Sequence, residues 1–320
     1  WKELGGRDKK ITPYSFDEIL ESYTEEELGE DLEHVPALFN EQIKQDEGIV
    51  VFALQYFYNP YGPGKKLYVD DISTIDLFFG KQWYPTTKPA AQLGFWPLIL
   101  GTLLVSIVAI LFALPFALAA SIYLAELASK RVRSFMKPTI ELLAGIPSVV
   151  YGFFGLAVIV PFVKDLFDIP VGETALAGAI VLAIMALPTI ITIAEDSLRT
   201  TPRAMREASL ALGANKWQTI LKVSIPYSIS GITAAIILGV GRAIGETMAI
   251  LMVSGNAAVI PNSLLKPVRT IPATIAAELG EAPFGGLHFK SLFALGCILF
   301  VITMAVNFLV EVMSPKRRVN

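Results

Sequence analysis

One charged pair stands inside an otherwise apolar stretch of this sequence. Arg242 and Glu246 lie in Gly239-Val240-Gly241-Arg242-Ala243-Ile244-Gly245-Glu246-Thr247-Met248-Ala249, four positions apart and so on one face of a helix. At the middle of a membrane span an arginine costs about 2.5–3.5 kcal/mol even on insertion-based scales, so it must face protein or water and have a partner. Two arrangements meet that demand: a structural pair neutralised within its own helix, or a pair lining an anion route. The second has a mechanism, because guanidinium offers planar, forked donors that match a tetrahedral oxyanion, and Glu246 would keep the site from becoming a permanent trap. Gly241 and Gly245, spaced small-x-x-x-small, would let a neighbouring helix come close. A second cluster is Gly145-Ile146-Pro147-Ser148-Val149-Val150-Tyr151-Gly152-Phe153-Phe154-Gly155. Pro147 removes a backbone donor and bends or breaks the helix, so a neighbouring group or water must satisfy the freed carbonyl. Such a bend is either a packing kink or the border of a pathway, with Ser148 and Tyr151 as candidate hydroxyls.

Other chemistries find no residues. One cysteine and two histidines, Cys297, His34 and His288, cannot build a disulfide framework or a multi-ligand metal site. No set of nucleophile, base and metal ligands stands out. A G-x-x-x-x-G-K-[ST] phosphate loop is absent, and Gly239, Gly241 and Gly245 have the wrong spacing for a dinucleotide fingerprint.

The elements that must carry these residues are membrane helices. Of 320 residues, 53% are hydrophobic and only 17% charged, with a mean hydropathy of +0.56, against roughly a quarter charged in soluble domains. Five segments reach the length of about 20 residues that a span needs: Leu98 to Leu124, Pro138 to Val163, Thr174 to Ala194, Ser228 to Ser254 and Ser291 to Val310. The connections after the first, third and fifth spans hold twelve Lys and Arg, the others four. The loop from Arg199 to Lys222 and the C-terminus are therefore expected to be cytoplasmic.

Residues 1–90 carry 9 Lys and Arg against 17 Asp and Glu, and the remainder 17 against 12. An acidic head on an apolar, mildly basic body is not a nucleic-acid binder's balance. The topology puts residues 1–90 outside, which calls for a further span upstream of Trp1. Phe16 to Leu38 has the apolar spacing of a small helical cap, in a segment expected to be partly helical or disordered, and Asn59 to Gly64 is turn chemistry. Trp83, Tyr84, Phe95 and Trp96 read as interfacial aromatics, His288 as an interfacial loop side chain and His34 as an exposed one.

The most specific motif lies in the loop between the third and fourth spans: Glu207-Ala208-Ser209-Leu210-Ala211-Leu212-Gly213, nine residues, then Val223-Ser224-Ile225-Pro226. It predicts two short helices, the first capped by Thr201 with Pro202 at its first position and stopped by Gly213, the second started by Asn215 and ending before Pro226. Ala208, Ala211 and Gly213 would let this corner enter a partner's groove, with Glu207, Arg203 and Arg206 fixing its register.

Glu-Ala-x-x-x-x-Gly followed at this distance by aliphatic-x-aliphatic-Pro resembles the "EAA" loop by which ABC-importer permeases dock on their ATPase, with Ser209 in place of the family's second alanine. Ile146 to Gly152, Gly241 to Ala249 and Thr274-Ile275-Ala276-Ala277-Glu278-Leu279-Gly280-Glu281-Ala282-Pro283 are together similar to phosphate ABC-transporter permeases of the PstC type. The similarity covers approximately Ile75 to Val312.

The resemblance implies an all-α, polytopic type I importer (MetI-like) bundle with six core helices, five of them visible here. It implies a membrane domain over 91–314 with a coupling hairpin at 195–226 and an outer loop at 255–290, followed by a basic cytoplasmic tail at 315–320. The partners it implies are a PstA-type second permease, a PstB-type ATPase dimer, a PstS-type extracytoplasmic binding protein, phosphate and membrane lipid. It implies no cofactor and no catalysis by this chain, in a bacterial or archaeal cytoplasmic membrane. Another oxyanion such as sulfate or molybdate stays open, as does an autonomous transporter or channel. A cysteine placed in the hairpin is expected to react with a membrane-impermeant thiol reagent only from the cytoplasmic side; labelling from outside would overturn the topology.

Overall fold

The structure, a computed structural model, describes residues 12–15, 34, 37, 38, 41, 44, 49–52, 74–87 and 91–313. The chain divides into two compact units, Trp1–Ile72 with Lys88–Ala90, and Ser73–Thr87 with Ala91–Asn320. In the first, β1 (Thr12–Ser15) pairs in parallel with β2 (Ile49–Phe52). Sequence patterning did not show this pair. Most of the helical cap expected over Phe16 to Leu38, and the turn expected at Asn59 to Gly64, lie outside the described residues; His34 is exposed.

The second unit is a helical bundle. It opens with α1 (Thr74–Phe79), then β3 (Trp83–Tyr84) paired antiparallel to β4 (Gln92–Leu93). After these come α2 (Trp96–Ile122), α3 (Lys130–Ala144), α4 (Ser148–Phe154), α5 (Val160–Phe167) and α6 (Ala175–Arg199). Then follow α7 (Arg203–Ala211), α8 (Lys216–Thr219), α9 (Ile225–Ile244), α10 (Met248–Val253), α11 (Ile271–Glu278) and α12 (Leu287–Met313).

Among the described residues, five helices are long and apolar enough to cross a membrane: Trp96–Leu127, Ser148–Phe167, Ala175–Arg199, Lys216–Ile244 and Leu287–Val310. Three contain a π-turn, at Tyr123–Leu127, Gly155–Ile159 and Ile220–Ser224. The last corrects the expectation that a helix ends before Pro226. A wide turn, closed by the Ile225 N–H on the Ile220 carbonyl, takes the chain up to the proline, which then sits in the first turn of α9 where no donor is needed.

The second and fourth spans are both interrupted, and only the interruption of the fourth departs from expectation. In the second, Pro138 to Val163, the bend or break expected at Pro147 is a full break: the helix ends at Ala144 and restarts at Ser148, with Pro147 at the cap position (φ −58°, ψ 142°). The fourth, expected from Ser228 to Ser254, ends at Ile244 and restarts at Met248. Gly145 and Gly245, residues of poor helix propensity, stand at the two C-caps.

α6 is the core. Its most apolar stretch is 61% buried, against 6% for the last span. Ala175, Ala177, Ala179, Ala186 and Ala194 are nearly all at zero exposure, and such small side chains let α2 and α9 approach closely. Gly152 and Gly155 play the same part for α4: a Cβ on Gly155 would stand 2.6 Å from Val181 Cγ2 and 2.9 Å from Val253 Cγ1. Gly241 does not, since nothing lies within 4 Å of a Cβ built there, so the close packing expected of Gly241 and Gly245 falls instead to Gly239 against Ile190.

Trp83 and Phe95 also depart from the interfacial role, at 1% and 0% exposure; Tyr84 and Trp96 remain exposed. The β3–β4 pair folds the two buried rings together at 5.8 Å.

A Cβ at Gly101 would come 2.3 Å from the Arg269 carbonyl oxygen, whereas at Gly296 it meets nothing within 4 Å. Gly101→Ala should therefore destabilise the purified protein by roughly 1–3 kcal/mol, read as a lower thermal midpoint in detergent, and Gly296→Ala should not.

Candidate functional site

The hairpin is built by local rules. α7 stops at Leu212 because Gly213 takes φ +85°, and the Gly213 and Ala214 N–H groups close back on Leu210 and Ser209. Asn215 starts α8 with a capping box, its side chain accepting from the Gln218 N–H while Gln218 Oε1 accepts from the Asn215 N–H at 2.9 Å. Thr201 does not cap α7. It is 3% exposed and its hydroxyl meets Ser228 Oγ at 3.2 Å, in a seam where Ser197 and Ser228 exchange side-chain to carbonyl bonds of 3.1 and 2.9 Å. Pro202 occupies the cap position.

Arg203, Glu207 and Ala208 are exposed. Ser209 is half-buried, its hydroxyl 3.0 Å from Thr219 Oγ1, which ties α7 to α8. Arg206 turns the other way, back onto the bundle. Its guanidinium lies 2.9 Å from Glu126 in the π-turn of the first span and donates to the Leu198 carbonyl at 3.0 Å.

One turn before Leu198 lies Glu195, 1% exposed, within 2.7 Å of Arg133 and 2.9 Å of Lys137, with Arg199 3.9 Å away. Lys137 also bonds Asp196. Burial alone would lower the Lys137 pKa, but the carboxylates of Asp196 and Glu195 outweigh it and raise it. A raised lysine pKa stabilises the folded state below the unfolded pKa and loses that contribution as pH rises through the folded one, so these contacts are intact throughout the physiological range.

The other candidates sit at the two helix interruptions. Arg242 is not at mid-span but in the last turn of α9, where carbonyls without helical partners favour a cation by about 0.3–1 kcal/mol. It donates to Thr189 Oγ1 of α6 at 3.0 Å and lies within electrostatic reach of the Tyr151 hydroxyl. The ion pair expected with Glu246 is not formed: among the described residues none joins the two. The helix ends between them, and Glu246 Oε1 accepts instead from the Ala249 N–H at 3.2 Å, satisfying a free donor at the start of α10. The Tyr151 hydroxyl donates to the Leu143 carbonyl at 2.8 Å, across the Pro147 interruption and beside the 3.2 Å bond which that carbonyl accepts from the Ile146 N–H. Ser148 sits half-buried at the first position of α4. Gly245 and Thr247 line an open cleft of about 520 Å³ with Pro272, Ile275, Leu279 and Leu299, a wall without charge.

At the other end of the bundle Glu278 gathers three donors that the sequence did not single out together. Trp83 Nε1 donates at 2.9 Å, Arg269 forms an ion pair, and His288 Nε2 lies at 2.9 Å. His288 is therefore a bonded, largely buried residue rather than an interfacial loop side chain. Glu126, Glu195 and Thr189 were also missed. Their signal was available for the two acids: carboxylates at the ends of spans whose following loops are basic.

Residues 117–319 match the family described as binding-protein-dependent transport system inner membrane component. The probable ABC transporter permease protein YqgH of Bacillus subtilis (strain 168) is 38% identical over 251 residues, 78% of this chain and 81% of its own. The phosphate transport system permease protein PstC of Mesorhizobium japonicum is 39% identical over 256 residues, 73% and 77% of the two chains. Among solved structures, a bacterial ABC transporter involved in the import of alginate aligns with a TM-score of 0.51 at 16% identity, over 71% of this chain and 80% of that one. The inward-facing MetNI methionine ABC transporter gives 0.50 at 18%, over 69% and 94%; at such identities the likeness is one of fold. A five-span bundle with an EAA-type hairpin and these relatives places the chain in the family of binding-protein-dependent transport system inner membrane components, among its PstC-type permeases.

Proposed function

We propose that this chain is the PstC-type membrane subunit of an ATP-driven phosphate importer, that its hairpin docks on a separate ABC ATPase, and that Arg242 meets the anion in transit. The observation that carries the proposal is the hairpin itself. Met205, Leu210, Leu212, Trp217 and Leu221 are exposed on it, Leu212 at 89%, while Arg206 fastens its base to the bundle. An apolar knob on a fixed stem is a surface that a partner must cover. The phosphate cargo is supported by the PstC relative and by the chemistry of Arg242, which is half-buried, held by one neutral hydroxyl, and so keeps donors for an oxyanion.

A PstS-type binding protein delivers phosphate to the outer face, near the 255–290 loop. A PstA-type permease completes the pathway, and a PstB-type ATPase dimer hydrolyses ATP and moves the hairpin. The hairpin and C-terminus then face the cytoplasm across a bacterial inner membrane, with residues 1–90 outside. Glu246, Ser148, Tyr151, Pro147, Gly241 and Gly245 belong to the pathway through the two helix interruptions. Arg203, Glu207, Ala208, Ser209 and Gly213 form the docking corner; Arg206 holds it in place. Covalent chemistry is left to the ATPase.

In proteoliposomes holding the whole complex, Arg242→Gln is expected to cut phosphate uptake about a hundredfold while the complex still assembles; wild-type uptake would remove Arg242 from the pathway. Excess sulfate or molybdate should not compete, and strong competition would point to another oxyanion. Leu212→Asp should leave the permease folded but weaken ATPase co-purification by about thirtyfold or more, whereas unchanged capture would move the docking surface elsewhere.

A further inference from the structure

Glu195 neither reaches the pathway nor lies on the docking corner, yet it is a carboxylate at 1% exposure facing two cations on another helix, Arg133 and Lys137 of α3. A buried ion pair adds little net stability, because desolvation offsets its attraction, and its best-attested use is to fix how elements register. α3 needs such fixing. Ile140 is its one buried side chain, so apart from that single contact with the core no apolar face binds it to the bundle.

The elements around Glu195 form a continuous mechanical line. On one side, Arg206 of the hairpin grips the Leu198 carbonyl, and the Ser197–Ser228–Thr201 seam locks the same turn of α6 to the fourth span. On the other, α3 leads through the Pro147 interruption into α4, and Tyr151 bonds back across that interruption to Leu143. Tyr151 in turn lies within electrostatic reach of Arg242.

We infer that Glu195 is a positioning residue: through Arg133 and Lys137 it makes α3 follow the hairpin end of α6, so that hairpin motion is transmitted to Tyr151 and the second-span side of the pathway. This rests on the importer function proposed above.

The test uses the complete complex in proteoliposomes, with phosphate uptake and ATP hydrolysis measured together. Absence of uptake by the wild type would sink the importer function and not bear on Glu195. In a background with Cys297 replaced by alanine, Glu195→Cys with Lys137→Cys should hydrolyse ATP but take up about tenfold less phosphate per ATP. Bridging the two thiols with a short, reducible bifunctional methanethiosulfonate should restore the wild-type ratio, and reduction should abolish it again. A merely structural role would not produce that reversible rescue. Because the cysteine pair could fail to assemble, Arg133→Gln with Lys137→Gln, both on the half-exposed side of the contact, provides a second route to the same fall. A wild-type ratio in either unbridged variant, or no recovery on bridging an assembled pair, would overturn the inference.

Discussion

Inside hydrocarbon no backbone polar group can be left without a partner, and no charge without an answer to its lost hydration. That constraint governs where this bundle can be irregular. Both interruptions occur where side chains stand ready: the Tyr151 hydroxyl takes up the carbonyl of Leu143, and the Glu246 carboxylate takes up the N–H of Ala249. Arg242 obeys the same rule. Ending α9 at Ile244 converts it from a mid-helix charge into one at a helix C-terminus, where the backbone itself supplies favourable potential, with Thr189 as its side-chain partner. The guanidinium is thus held by partial charges and a neutral hydroxyl, not by a full counter-charge, and under the proposed function an anion in transit would not have to displace a carboxylate to reach it.

The alanine-rich α6 makes the arrangement possible. Its small side chains draw the first and fourth spans in on either side, so the helix that carries Thr189 in its middle also carries Glu195 at its hairpin end. The distance from Thr189, and so from Arg242, to the hairpin is then set by one rigid element. The charged contacts gather at that end: Glu126 with Arg206, and Glu195 with Arg133 and Lys137. The opposite end has its own knot around Glu278, formed by Trp83, Arg269 and His288. Charge placed at both ends of an apolar bundle leaves the middle, among the described residues, free of competing ion pairs.

Much of this was legible in the residues. Helix number followed from run length and hydropathy, and the hairpin's stop and restart from Gly213 and Asn215, because these depend on local chemistry. The separation of Arg242 from Glu246 was not, because i,i+4 spacing has meaning only while the helix continues, and Gly245 ends it. Pro147 and Pro226 show the same limit. One stands at a true break and the other just after a π-turn that absorbs it, and the proline alone does not distinguish them. Glu195 was overlooked for a different reason: its partners lie 58 and 62 positions earlier in the chain, at Lys137 and Arg133, and only the packing of α3 against α6 brings them together.

The central claim is that a transmembrane gate is driven through its hairpin by a separate nucleotide-hydrolysing partner. The most direct measurement is phosphate uptake into proteoliposomes containing this chain, a PstA-type permease and a PstB-type ATPase, with a PstS-type binding protein outside. Phosphate-loaded binding protein should stimulate ATP hydrolysis and drive uptake, and both should vanish when the ATPase is omitted. Uptake that persists at full rate without the ATPase or without ATP would contradict the claim.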